Sequence, residues 1–311
     1  MPNTILALDR VTKRFAGHTA VDALSLIVPP GVIYGLLGPN GAGKSTTIRM
    51  IMNIYVPDGG TVQLFGDGSG RDHSARIGYL PEERGLYAKM RVLDVLLFLA
   101  EMKGLDRRTA RAKALDWLER LGLNEWRLRK VNELSKGMQQ KVQFISTVLH
   151  EPDLLVMDEA FSGLDPVNSQ VLKDTVLDLR QRGKTILLST HIMEQAEKLC
   201  DSVCIIARGK KLVDGPLSDV KRRHGGRSVF VNFDGARGDA DRLFADRSIV
   251  MKADVSGQYA ELELTPAADA QRMLQALVSS GARLSRFELA EPSLNRIFID
   301  LVGPEAAVAN A

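Results

Sequence analysis

Nine residues, "GPNGAGKST" (38–46), carry the strongest chemical signal in the chain. They fit the pattern Gly-x-x-x-x-Gly-Lys-Ser/Thr, and they sit between an apolar run and a helical pattern, the context that gives the motif meaning. Gly38, Gly41 and Gly43, with Pro39, Asn40 and Ala42 between them, let backbone N–H groups turn inward around a phosphate where larger side chains block the approach. The helix start that follows adds partial positive charge. Lys44 is the expected point charge for the β- and γ-phosphates of a nucleotide, Ser45 the expected Mg2+ ligand and Thr46 a further phosphate contact. A second stretch, "LLVMDEAFSGLD" (154–165), is an apolar run ending in two carboxylates. Asp158 suits Mg2+, directly or through water, and Glu159 suits a general base for the water attacking the γ-phosphate. His191 follows the apolar run in "LLSTHIMEQ" (187–195), placed to contact the same phosphate. Phe15, in "VTKRFAGHTAVD", is an aromatic ring able to stack on a purine. Alone, two carboxylates at a strand end read as a salt-bridged terminus and a lone histidine as a structural residue. The phosphate loop upstream turns both toward chemistry.

A further stretch, "NELSKGMQQK" (132–141), looks like an ordinary helix start with Ser135 as its cap. Its small residues also suit an anion, which is unexpected in a chain that already has one complete phosphate cradle.

The elements that must hold these residues divide the chain in two. Over residues 1–220, near-continuous apolar runs alternate with amphipathic segments: "VIYGLLG" (32–38), "DLLVMDE" (153–159) and "KTILLSTH" (184–191). Such runs between helices indicate α/β architecture with a parallel sheet buried on both faces. The first thirty residues and "GTVQLFG" (60–66) instead alternate apolar and polar residues, as half-exposed antiparallel strands do. Residues 94–123 read as two helices inserted between strands. Near "SDVKRRHGGRS" (218–228) the composition shifts to a basic run and a Gly-Gly pair, read as a domain boundary and a solvated linker, the alternative being a contact with phospholipid head groups or a partner's acidic loop. From 221 to 311 the pattern is strand, helix (238–245), strand, strand, helix (266–280), strand and a closing helix in "EPSLNRIFIDLVG", with Gly303 at its end. That order is the split-βαβ arrangement, a small α+β accessory domain.

With 45% hydrophobic and 25% charged residues, the 311-residue chain can bury a substantial core. A formal net charge of +3 gives no global case for nucleic-acid binding. The two cysteines, Cys200 and Cys204, lack any Cys/His company and read as small buried residues. The N-terminus shows no signal-peptide pattern, and "VLDVLLFLA" (92–100), broken by Asp94, falls well short of the roughly 20 apolar residues a span needs. The expectation is a protein without its own membrane segment.

Taken in order, the phosphate loop, "LSKGMQ" (134–139), "LLVMDE" (154–159), "SGLD" (162–165) and His191 resemble the nucleotide-binding subunit of ABC transporters over residues 4–220. The ordered set is far more specific than any of its members. The resemblance implies a P-loop ATPase fold, ATP and Mg2+ as ligands, and hydrolysis coupled to transport. It implies that the signature, Ser135, Lys136, Gly137, Met138 and Gln139, serves the ATP of a second subunit, with Ser135 and the Gly137 backbone as donors in a head-to-tail sandwich. The implied partners are a second nucleotide-binding subunit, a homodimer being expected, and an integral membrane permease that places the chain at the cytoplasmic face of the membrane. Three positions depart from the family pattern. Lys136 and Met138 stand in a signature that usually reads LSGGQ. Glu82, in "IGYLPEERGLY" (77–87), stands where a Q-loop glutamine contacts Mg2+ and water, and a carboxylate ligates metal but donates no amide hydrogen bond. Ala160 replaces the usual proline after Glu159. The "PEERGLY" and "EPSLNRIF" segments resemble bacterial exporters related to sodium-extrusion (NatA-like) ATPases. The competing class is a non-transport ABC ATPase acting on a soluble macromolecule. Only about 90 residues separate the phosphate loop from the signature, and there is one ATPase half, which favours the transporter.

Overall fold

The computed structural model describes residues 4–66, 73–83, 85–224, 228–235, 237, 239–265, 267–290 and 292–302. The chain separates into two compact units, Met1–Leu217 and Ser218–Pro304.

The first unit opens with an antiparallel hairpin, β1 (Leu6–Phe15) and β2 (His18–Val28). Then come β3 (Ile33–Leu37), α1 (Lys44–Ile51), β4 (Gly59–Leu64) and β5 (Ile77–Leu80). Three helices follow: α2 (Val92–Met102), α3 (Arg107–Arg120) and α4 (Lys136–Val148). The unit continues through β6 (Leu154–Asp158), α5 (Pro166–Gln181), β7 (Thr185–Thr190), α6 (Met193–Leu199), β8 (Ser202–Ala207) and β9 (Lys210–Pro216). β2, β1 and β4 form a three-stranded antiparallel sheet. The main sheet runs β5-β6-β7-β3-β8-β9, parallel except for the antiparallel β8–β9 pair. Every residue of β3, β6 and β7 is buried, which is why these strands read as unbroken apolar runs: helices or the second sheet cover both faces. Leu8, Leu24 and Leu26 of the antiparallel layer share one core with Ile48 of α1 and with Leu36, Val156 and Ile206 of the main sheet. Each such side chain contributes about 1.5–3 kcal/mol by leaving water.

The second of the inserted helices is capped at its start. Asp106 caps α3 by accepting from Thr109 N at 3.0 Å. Trp117 of α3 meets Phe144 of α4 edge-to-face at 6.1 Å, joining the insertion to the helix that the signature opens. Among the described residues, no helix is long and apolar enough to cross a membrane.

The basic run corrects the sequence reading. Leu217–His224 is a helix, α7, rather than a linker; residues 225–227 lie outside the described part. Lysine and arginine favour helices, and Lys221, Arg222, Arg223 and His224 occupy the last turn, where the helix dipole favours positive charge. Cys200 ends α6 and Cys204 lies in β8; both are free and buried. Burial pushes the Cys200 thiol up to about 12 and raises that of Cys204 as well, so neither is a thiolate near neutral pH.

The second unit contains β10 (Ser228–Phe233), α8 (Ala240–Ala245), β11 (Val250–Ser256), β12 (Tyr259–Leu264), α9 (Ala270–Ser279), β13 (Leu284–Ala290) and α10 (Leu294–Val302). Its strands pair in the order β11-β12-β10-β13, all antiparallel, which is the split-βαβ topology. Alternation along β10 sends Val229, Val231 and Phe233 into a core with Leu262, Phe244, Met273 and Leu277. The helix expected over 266–280 begins at Ala270, with Asp269 as its cap.

Candidate active site

Sheet order brings distant motifs together. β6, β7 and β3 are neighbours, and their carboxyl ends carry Asp158, Thr190 and Leu37, the last leading into the phosphate loop. Open parallel sheets bind ligands at this end.

The loop's glycines are dictated by close approach as well as by dihedral angle. Gly38 has φ +155°, and a Cβ there would collide with the carbonyl oxygen of Ile206 in β8. Gly43, which caps α1 with φ +103°, would meet Ala20 O in the same way. Gly38→Ala is therefore expected to cost about 3 kcal/mol, read as a fall in Tm together with loss of nucleotide binding. Ala42 is buried, Pro39 half-buried, and Asn40 and Gly41 exposed. Ser45 and Thr46 are half-buried in the first turn of α1, whereas the Thr47 hydroxyl donates to Gly43 O at 2.8 Å. Lys44 is 5% exposed; its Nζ donates to Gly38 O at 2.8 Å and Pro39 O at 3.1 Å and lies 3.3 Å from Glu159 Oε1.

Asp158 and Glu159, adjacent in sequence, have different surroundings. Asp158 Oδ1 accepts from Ser189 Oγ at 2.5 Å, directly across the β6–β7 register. Glu159 adopts φ +49°, unusual without glycine, a conformation that costs on the order of 1 kcal/mol or more and re-aims the chain at the strand end. Its N–H is shared between Ser189 O at 3.2 Å and Ser189 Oγ at 3.3 Å. Glu159 Oε2 lies 3.0 Å from His191 Nδ1. Glu159 Oε1 is buried with no hydrogen-bond donor, balanced only by the lysine charge. The carboxylate is thus oriented by histidine on one oxygen and turns the other toward the Lys44 ammonium. His191 itself is 39% exposed.

Ser189 escaped the sequence reading. The available signal was a small polar residue inside an otherwise apolar buried strand, which must find a partner. Ser189→Ala should lower kcat by about 10- to 100-fold and raise the Mg2+ requirement, because it frees Asp158 to rotate; a magnesium titration of the ATPase rate checks this.

The signature residues have other neighbours. Ser135 caps α4, accepting from Met138 N at 3.3 Å, and is exposed, as is Lys136. Gly137 packs against α5: a Cβ there would lie 2.9 Å from Asn168 Nδ2 and 3.5 Å from Asp165 Oδ2. Asp165 caps α5 and accepts from the Asn168 amide at 2.5 Å. The Gln139 amide turns back to Leu134 O at 3.0 Å and Val131 O at 3.2 Å, and Met138 is half-buried. Gln140, not singled out in sequence, donates to Ala160 O at 3.2 Å, tying α4 to the turn after Glu159. Glu82 is exposed in the loop after β5. Phe15, at the end of β1, is 44% exposed and meets Tyr55 edge-to-face at 5.6 Å.

The donor set fits a nucleotide and Mg2+. A glycine-rich turn, a buried ammonium and a carboxylate oxygen that accepts no hydrogen bond suit a triphosphate and its attacking water, and one hydroxyl with one carboxylate suits a metal that takes its remaining ligands from phosphates and water.

Known proteins match the chain along most of its length. The ABC transporter family model matches residues 21–162, and that of the "ATP-binding protein DrrA1-3-like, C-terminal domain" matches 215–302. The chain is 43% identical over 299 residues to "Uncharacterized ABC transporter ATP-binding protein YhaQ" of Bacillus subtilis (strain 168), covering 96% of this chain and 99% of that protein. It is 35% identical over 308 residues to "Nod factor export ATP-binding protein I" of Rhizobium sp. (strain N33), covering 98% and 99%. It is 32% identical over 307 residues to "Linearmycin resistance ATP-binding protein LnrL" of Bacillus subtilis (strain 168), covering 96% and 98%. Among solved structures, an ATP-binding subunit of an ABC transporter superposes with a TM-score of 0.67 at 30% identity, over 71% of this chain and 93% of that one.

Proposed function

The chain belongs to the family of ABC transporter ATP-binding proteins, which are ATPases, and from that premise we propose that it energises a membrane exporter by closing and opening an ATP-sandwich dimer. The observation that carries this reading is the Lys44–Glu159–His191 arrangement, in which the lysine and the carboxylate are buried and Glu159 Oε1 accepts no hydrogen bond. Lys44, with the N–H groups of residues 38–46, holds the β- and γ-phosphates. Ser45 and Asp158 hold Mg2+, with Glu82 approaching from the loop after β5. Mg2+ supplies charge neutralisation at the phosphates. Glu159 takes the proton of the attacking water, and His191 keeps that carboxylate aimed. Phe15 offers a ring for the adenine.

The two anion-suited features have different holders. The contacts of 134–139 are with Val131, Asp165 and Asn168; those of the phosphate loop are with Ala20, Ile206 and Glu159. That separation supports a signature acting on the nucleotide of a second copy, through Ser135 and the backbone of Gly137, with Lys136, Met138 and Gln139 framing the helix start. Export rather than import is supported by the names of two relatives, one for Nod factor export and one for linearmycin resistance. The test is co-purification from solubilised membranes: a specific integral membrane protein should accompany the chain and stimulate its ATPase. Recovery only with a soluble macromolecular complex would overturn the exporter reading.

A further inference from the structure

α4 lies along β5 and continues past its end. A Cβ on Gly78 of β5 would collide with the Thr147 carbonyl, so helix and strand are in close contact. Three polar side chains of α4 and the turn after it, Gln143, Thr147 and His150, stand four and three residues apart, the spacing of one helix face. They reach the carbonyls of Glu83, Tyr79 and Ile77 at 3.1, 3.5 and 3.1 Å. The Thr147 proton is better directed at Gln143 O, 2.8 Å away, so its contact with Tyr79 is secondary. His150 and Thr147 thus hold the strand. Gln143 holds the loop beyond it, at the residue next to Glu82.

Gln143 is 5% exposed, and its Oε1 is buried with no donor while its Nε2 donates to Glu83 O. A buried amide with half its capacity unpaired is retained against a free-energy cost, and an apolar side chain of the same length would fill the space without it. What the amide supplies is the tie to the loop. Eight residues earlier, about 12 Å along the helix axis, Ser135 caps the same helix.

We propose that Gln143 is a positioning residue for hydrolysis, tying the Glu82 loop to the signature helix so that Glu82 and Ser135 are carried by one rigid body. The proposal rests on the metal-side role given to Glu82 above. It is tested on the full chain with Gln143→Met, Glu82→Ala and the double variant, and with Gln143→Leu as a second replacement should the first fold poorly. Measured are kcat, KM for ATP, the Mg2+ half-saturation, Tm and the backbone amide exchange of residues 85–87 and of α4.

Gln143→Met should lower kcat about 10-fold with KM for ATP changed less than about twofold, and should speed exchange at 85–87 while α4 stays protected. In the Glu82→Ala background it should add nothing, because the loop no longer carries its ligand. An equal loss in both backgrounds, an unchanged kcat, or a fall in Tm with deprotection of all of α4 would overturn the proposal. An unchanged Mg2+ half-saturation in Glu82→Ala alone would remove the metal role of Glu82. The tie would then be judged by loop exchange and by whether the Gln143→Met effect still vanishes in that background.

Discussion

Glu159→Gln is expected to lower the rate of ATP hydrolysis by about 1000-fold, close to 4 kcal/mol of barrier, while ATP affinity holds or rises. The amide has nearly the shape of the carboxylate, so the strained turn at φ +49° and the N–H bonds to Ser189 are kept. What disappears is the basic oxygen at Oε1, which faces the Lys44 ammonium and accepts no hydrogen bond among the described residues. A negative charge facing the γ-phosphate disappears with it. Lys44 loses its counter-ion but keeps Gly38 O and Pro39 O as acceptors, so the change leaves a cation better disposed toward phosphate. Under the proposed cycle, in which ATP stabilises the closed dimer and hydrolysis releases it, binding without turnover should accumulate the closed state. Size exclusion of the variant with MgATP should show a dimer that the unaltered chain shows only in passing. A persistent monomer at high protein concentration would count against the sandwich, and a loss of only about 10-fold in kcat would move the base elsewhere.

The fold's outline was legible because burial and periodicity agree. β3, β6 and β7 are unbroken apolar runs in sequence and wholly buried in the sheet. β10 and β12 alternate in sequence and form the half-exposed sheet of the second unit. The helix α7 was missed because its residues are good helix formers hidden between a proline and two glycines, and its single buried residue, Val220, gives no periodic signal. Lys44, Asp158, Glu159 and His191, which the fold brings together, were each visible in sequence, whereas their supports were not. Ser189 supports Asp158 only because β6 and β7 pair in that register, and Gln143 reaches Glu83 only because α4 turns that face to β5. Gly137 shows the same limit. Its position in the signature was readable, but what a side chain there would meet first is the Asn168 amide, thirty-one residues later in the chain. Sequence spacing reveals groups that act on a ligand; tertiary register decides what holds them.

Ser135→Asp separates the two roles of the signature serine, and its expected result is a well-folded chain that binds ATP and does not hydrolyse it. Ser135 caps α4 through its hydroxyl oxygen, 3.3 Å from Met138 N, and an aspartate at this position caps as well as serine does. Its charge at a helix N-terminus adds a few tenths of a kcal/mol of stabilisation. Tm should therefore hold or rise slightly. In the proposed sandwich the same charge faces the γ-phosphate of a second copy and opposes closure, and a repulsion of about 3 kcal/mol is enough to lower kcat more than 100-fold. Because Ser135 is a neighbour of Met138 and lies on the helix that packs on Asn168, rather than beside Lys44, ATP binding to the same chain should stay within about threefold of the original affinity. Mixing this variant with Lys44→Ala supplies the decisive comparison. Each mixed dimer pairs an intact phosphate loop from the first chain with an intact signature from the second, so equal mixing restores one site in half of the dimers, about a quarter of all sites if they fire independently. Loss of nucleotide binding in Ser135→Asp alone would place the signature on its own chain's phosphate and end the trans reading.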